Sequence, residues 1–399
     1  MENVSSSNGL EKRPRLAFRN IDGSRFPCWR QTSLGCIIEP YSEKVYGEHD
    51  YEVLTSAREG LQRQEDHFGS KQRHDTDGYN IIPFGYCTYR NRSDDGKFAF
   101  NINTISEKAI VSKFYPVFRF TNANSTFMAE FLNSSPRVKK KLSVLAVGTS
   151  QVVLSFEALK AAKFDLPCKD EQDKIAAFLE CLNARIENQR TLVVALKKYK
   201  RGVVDGIFSR KLNFSYPQTW AELEISELFM PISDKGYSDK IVLTIVQGEG
   251  TMPRDSVDRR IAYDKSTISS YKRVLPNDFI LHLRSFEGGL EIVNEEGVVS
   301  PAYTILRARN EIIPLFFYTF FRSYWFINSK LRISVEGIRD GKSINMNTFW
   351  HIKVPVPSIE EQRHISALIS SIDNRIKIAE FEYKRLLQIR VGLMQQLFI

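Results

Sequence analysis

Apolar residues recur at alternating steps of four and three through two separate stretches of the chain. In the first, positions 175, 179, 182, 186, 189, 193, 196, 200, 203 and 207 hold Ile, Leu, Leu, Ile, Gln, Val, Leu, Lys, Val and Ile. In the second, positions 365, 369, 372, 376, 379, 383, 386, 390, 393 and 397 hold Ile, Ile, Ile, Ile, Ala, Tyr, Leu, Arg, Leu and Leu. A seam sustained over this many heptads predicts a coiled coil. Each helix would run ~58 Å at 1.5 Å per residue. Both seams weaken at the same depths, at Gln189 and Lys200 in one and Ala379 and Arg390 in the other. Helices that pair with each other would weaken together, and a polar seam residue fixes register. The expected coiled-coil or subunit interface comprises Ile175, Leu179, Leu182, Ile186 and Leu196 on the first helix and Ile365, Ile369, Ile372, Ile376 and Leu386 on the second. The second helix opens Pro357-Ser358-Ile359-Glu360-Glu361, a capping box with Ser at N-cap and Glu at N3. The first has Cys168 at the cap, so Asp170 and Glu171 keep only the favourable dipole interaction.

The two seams belong to a longer repeat. Residues 164–208 align with 354–398 at a constant shift of 190, without a gap, and ten of 45 positions are identical. Roughly three would match by chance at ordinary composition. Trp29, Pro40, Ser42, Lys44 and Tyr46 recur 191 positions later, and VSKFYPVFR at Val111 recurs as VSPAYTILR at Val299. The chain is therefore a pseudo-two-fold internal duplication, each half a divergent segment followed by a preserved helix.

The divergent segments carry a mixed pattern. IVLTIV, DFILHLR and EIVNEEGVVSPAYTILRA (from Ile241, Asp278 and Glu291) predict strands and turns. PLFFYTFFRSYWFINSKLRIS, from Pro314, predicts a buried helix with residues 120–143 as its counterpart. The expected fold is α+β: two tandem α+β domains alternating with two long helices that pair as an antiparallel coiled coil. The boundaries are 1–12 disordered, 13–163 first domain, 164–211 central helix, 212–353 second domain and 354–399 C-terminal helix.

With 399 residues and 42% hydrophobic content, the chain can bury substantial cores. No apolar run approaches the ~18–20 residues of a membrane span, and the polar first residues lack a signal peptide's apolar region. Five cysteines without a CxxC pair read as free thiols in a cytoplasmic protein. Fifty-six Lys and Arg against 47 Asp and Glu give +9, which favours a polyanionic partner.

The sequence has no phosphate loop of the GxxxxGK[ST] type, no HExxH and no GxSxG. The Asn/Asp-Pro-Pro-aromatic tetrapeptide of amino-methyltransferases is missing too, and the six histidines lack metal-ligand spacing. QGEG at Gln247 and EGG at Glu287 read as turns. A non-catalytic chain without a metal or cofactor of its own is expected. What remains is basic, Asn- and Ser-containing loops suited to phosphates and base edges. The candidate DNA contacts are Arg90, Arg92, Lys113, Ser150 and Gln151 in the first domain. In the second they are Lys235, Arg284, Arg339, Lys342 and Asn345, with Arg90 and Arg284 at matching places.

Divergent α+β segments alternating with helices that each begin Pro-x-x-x-Glu-Gln-x-x-Ile resemble the specificity subunit of type I restriction–modification enzymes. RPRLAFRNIDGSRFPCW leading to LG is similar to that family's approach to its first target recognition domain. The resemblance covers residues 13–399. It implies that each recognition domain reads one half of a split, asymmetric DNA site, while the paired helices space them and dock two modification subunits. S-adenosylmethionine, ATP and Mg would be held by partner subunits, and motor–nuclease subunits would join for restriction. The competing expectation is a duplicated coiled-coil scaffold that binds proteins rather than DNA.

Overall fold

The computed structural model describes residues 14–58, 60–69, 75–212, 219–257, 265–282, 285–337 and 343–398. Two compact units result, Met1–Gln189 with Glu382–Ile399 and Arg190–Phe381. Each contains one α+β domain, the start of one long helix and the end of the other.

In the first unit, strand Arg30–Ser33 pairs antiparallel with Lys163–Leu166, closing the domain's two ends and delivering the chain into helix Lys169–Phe208. A four-stranded antiparallel sheet follows the order Ile38–Tyr41, Val117–Phe120, Cys87–Tyr89, Phe100–Ile102. A second sheet runs Gly60–Arg63, Glu52–Ala57, Lys108–Val111, Asn80–Pro83, with its middle pair parallel.

The second unit repeats this plan. Ala221–Glu224 pairs with Lys353–Val356 ahead of helix Ile359–Leu397. Its main sheet has the order Phe229–Ile232, Thr304–Ala308, Phe279–Leu281, Glu291–Ile292. Lys272–Val274 pairs with Gly297–Val299, and Val242 bridges Val298 in parallel as Val53 pairs with Ile110. The duplication read from helices and scattered identities thus extends to strand order and pairing direction.

Helix starts and ends are where the repeat is best preserved, and packing explains it. Phe398 stacks edge-on against Phe127 and Phe131 at 5.9 and 5.5 Å, in the core that also holds Trp29. Phe208 does the same against Phe316 and Phe320 at 5.5 and 5.0 Å, beside Trp220. At the other end, the buried Gln172 side chain accepts the Asn124 N–H at 2.9 Å and donates to the Pro167 carbonyl at 3.0 Å. Gln362 accepts the Ile313 N–H at 3.0 Å and donates to the Pro357 carbonyl at 3.0 Å. The glutamine of the repeated Glu-Gln pair therefore ties each long helix to its domain's aromatic helix. Gln172→Ala should cost about 2–4 kcal/mol, because two backbone groups in a buried setting lose their partner. A urea melt checks this, and a loss under 0.5 kcal/mol would deny the tie.

The Ser358 half of the predicted capping box is present at the second helix, where Ser358 Oγ accepts the Glu361 N–H at 3.2 Å. At both starts the cap carbonyl takes the N–H of the glutamine, Cys168 from Gln172 at 3.0 Å and Ser358 from Gln362 at 2.9 Å. None of the twenty seam positions is exposed. Ile175, Leu179, Ile365 and Ile369 pack into the domain cores, and Leu182 and Leu196 are half-buried. Within the first unit Arg185 faces Glu382, and Arg390 donates to Asn183 at 2.8 Å. Within the second, Lys197 pairs with Glu380 and Lys200 with Asp373 at 2.7 and 2.6 Å. In each unit the numbers rise on one helix as they fall on the other, so the helix segments run antiparallel. Lys200 and Arg390, the charged interruptions of the seams, each meet a polar partner on the opposite helix, and Arg390 also binds Glu130 at 2.8 Å.

Some expected elements change form. The long apolar run from Pro314 is a helix only to Phe321, followed by a π turn at Phe326–Lys330 and a 3₁₀ turn at Leu331–Ser334. Ser323 breaks the run by capping Phe326 N–H with its hydroxyl. Its counterpart divides at Ser135-Pro136 into Ser125–Ser134 and Pro136–Leu145, since proline begins helices better than it continues them. QGEG closes the hairpin Leu243–Val246/Gly250–Pro253 as expected. EGG instead ends the short helix Ser285–Gly288.

Candidate nucleic-acid interface

The first domain sets two of its basic candidates, Arg90 and Arg92, in the wall of one cleft. Strand Arg92–Ser93 pairs with Val152–Val153, which brings the Arg90–Arg92 loop beside the Ser150–Gln151 turn. That turn depends on Gly148, at φ 145°, where a Cβ would meet the Gln151 carbonyl oxygen at 2.2 Å. Exposed Ser150 and Gln151 follow it, and Gln151 donates to Asp94 at 3.1 Å. The cleft, about 690 Å³, is lined by Arg58, His67, Arg90, Arg92 and Lys97 among others.

Carboxylates in the cleft are already engaged. The Ser93 hydroxyl beside Asp95 holds its carboxyl well below the usual range, with further help from the Lys97 N–H and the Arg58 guanidinium. Arg58 approaches Asp95 to 2.7 Å and Lys97 to 3.3 Å. Arg90 is exposed, and among the described residues it forms no ion pair. Its charge opposes the rise that burial imposes on the Tyr115 phenol. Lys113 and Arg92 are both exposed. Arg90, Arg92, Lys113, Ser150 and Gln151 thus lie in one domain, with Arg90 and Arg92 in the cleft wall and Gln151 bonded to another wall residue. Lys97 closes the basic, Asn-containing stretch that begins at Thr88, whereas Arg58 stands outside any such stretch and has no local signal in the sequence.

In the second domain, Lys235 is exposed and close enough to Lys272 to disfavour its charge, after burial, which is the larger cause. Asn345 is occupied structurally: its Oδ1 caps helix Met346–Trp350 at Thr348 N–H, 3.1 Å, and its Nδ2 donates to Glu336 at 2.7 Å. Arg284, Arg339 and Lys342 lie outside the described residues. Among the described residues no group of three or more His, Cys, Asp or Glu is placed to hold a metal, and no helix is long and apolar enough to cross a membrane.

The type I restriction modification DNA specificity domain family matches residues 40–196 and again 217–388. The chain belongs to that family. Its two matches fall on the two halves of the duplication. A curated relative, the type I restriction enzyme MjaVIII specificity subunit of Methanocaldococcus jannaschii, is 24% identical over 215 residues, 52% of this chain and 47% of the relative. The chain spans about half the length of the curated relatives it matches. Among solved structures, the type I restriction–modification S subunit from M. genitalium aligns over 97% of this chain and 99% of its own, with TM-score 0.54 and 17% identity. A chain from a study of complex assembly and conformational transition of the type I system aligns over 94% and 98%, with TM-score 0.57 and 15% identity. At these identities the likeness is one of fold.

Proposed function

We propose that the chain is the non-catalytic DNA-reading subunit of a type I restriction–modification complex, acting in the cytoplasm. Each recognition domain reads one half of a bipartite asymmetric site, and the two long helices form an antiparallel coiled coil that spaces them. The observation that carries this reading is the pairing of one repeated sheet framework with different loop chemistry in each half. Two readers built alike but lined differently suit a two-part site whose halves differ. The basic cleft of the first domain supports DNA over a protein ligand, since its carboxylates are engaged while Arg90 stays exposed.

Partner docking is supported by the long helices themselves. Ile378, Phe381, Ile389 and Val391 on the second helix, and Leu192 and Val194 on the first, are exposed away from the seam. Subunits seated on these side chains would remove their apolar surface from water, and two modification subunits are the proposed cover. Those partners would hold S-adenosylmethionine and methylate adenine, and motor–nuclease subunits would bring ATP and Mg.

Co-expression with the modification subunits followed by methylome sequencing tests the whole reading. The expected result is one motif of two short specified blocks separated by unspecified bases. DNA binding by the complex should weaken steeply with salt, as phosphate neutralisation requires. Complexes that assemble but methylate no defined motif would favour the scaffold alternative.

A further inference from the structure

The two halves share one turn whose tip differs. In the first domain Ser112-Lys113-Phe114-Tyr115 joins strands Lys108–Val111 and Val117–Phe120, with Tyr115 N–H donating to the Ser112 carbonyl at 2.9 Å and Phe114 N–H to Ser112 Oγ at 3.4 Å. In the second, Ser300-Pro301-Ala302-Tyr303 makes the same bonds, Tyr303 N–H to the Ser300 carbonyl at 3.1 Å and Ala302 N–H to Ser300 Oγ at 3.3 Å. The flanking residues Val, Ser, Tyr and Arg are identical. Backbone architecture therefore does not explain why Lys113-Phe114 stands where the other half has Pro301-Ala302.

Phe114 is 52% exposed, so a partner that covers its ring would gain the burial of that apolar surface. The Arg92 guanidinium lies 5.2 Å from its ring centre and the Lys113 ammonium 5.7 Å. Among the described residues neither cation forms an ion pair. Two cations gathered around one ring repel each other, and an anion beside them would offset that repulsion. The chemistry that offers closely spaced anions beside apolar and aromatic surface is the duplex groove, with phosphates at its rim and base edges within.

We propose that Phe114 is a specificity-determining residue of the first recognition domain, making an apolar contact with the bases of one half-site while Arg92 and Lys113 meet the flanking phosphates. This rests on the DNA-reading function proposed above. The second domain, with Ala302 at the same place, reads its half-site without such a contact, so the effect of losing the ring is confined to one half.

Phe114→Ala in the assembled methyltransferase complex, compared with wild type, supplies the test. Methylome sequencing should show one or two letters relaxed in a single half-site, with the other half-site and the gap unchanged. Affinity for the wild-type motif should fall about 10- to 100-fold, what removing a covered Phe ring from an interface produces, while affinity for unrelated DNA stays the same. Phe114→Leu, which keeps an apolar tip, should lose less. An unchanged motif and affinity would overturn the proposal, and so would an equal fall on matched and unrelated DNA, which marks non-specific contact. A wild-type complex that methylates no motif would instead sink the DNA-reading function, and the role of Phe114 with it.

Discussion

Arg322→Ala should destabilise the second unit by about 3–5 kcal/mol, the loss typical when a buried ion pair keeps only one member. Glu291 is fully buried at the edge of the main sheet. Arg322 binds its Oε1, Tyr318 donates to Oε2 at 3.0 Å, and the Gly248 N–H donates to Oε1 at 3.0 Å. The carboxylate thereby ties the Pro314–Phe321 helix, the 247–250 turn and the sheet edge together. Without Arg322 the charge would stay buried against neutral donors, the Tyr318 hydroxyl and the Gly248 and Gly250 N–H groups.

The pH dependence follows. Burial, the largest influence, already raises the Glu291 carboxyl above its ordinary value, and Arg322 is the first of the groups that oppose the rise. Removing it lifts the folded-state value further above the unfolded one. An acid shifted upward on folding favours the folded state at low pH and costs stability as pH rises through the folded value. The deficit of the variant should therefore be smaller at pH 5 than at pH 8, and Glu291→Gln in the same background should remove the pH dependence. Melting temperatures of both variants against wild type check this. A small deficit identical at both pH values would mean that Arg322 contributes packing alone.

The first domain solves the same problem with other atoms, which shows where sequence reading ends. At the position of Arg322 it has Asn133, whose amide accepts the Phe100 N–H at 2.9 Å and donates to the Phe100 carbonyl at 2.7 Å. Two unrelated residue pairs fix equivalent joints, so no identity betrays them. The helices were legible because every seventh position carries one constraint, and the Glu-Gln starts because both copies keep the same pair of backbone bonds. The breaks at Ser135-Pro136 and Ser323 were less so, since an apolar run does not say which residue will cap it. In the site, Arg90 and Arg92 stood out by local composition, whereas Asn345 has the composition of a reader and serves as a helix cap. Phe114 was visible only as a mismatch inside VSKFYPVFR and VSPAYTILR, and became informative once the two turns proved to share their hydrogen bonds.

Duplicating Asn188–Thr191 in the first long helix should widen the gap of the methylated motif by one or two bases and leave both half-sites unchanged. The polar seam position Gln189 lies in this stretch, so the repeat displaces no strongly apolar contact. Four extra residues add one stutter, which a heptad seam absorbs by local unwinding. They lengthen the helix by ~6 Å, about two base pairs at 3.4 Å each. Rotation is the second constraint: four residues turn a helix through roughly 400°, a net 40°, against about 70° for two base pairs. The ~30° difference is within what small twists of DNA and of the domain attachments absorb. Seven residues would keep the seam in phase, but their ~10 Å asks for three base pairs. Methylome sequencing of the variant complex reads the gap directly. An unchanged gap at full activity would show that the helices do not measure DNA, and altered half-site letters would show that they belong to the readers, leaving the spacer role without support.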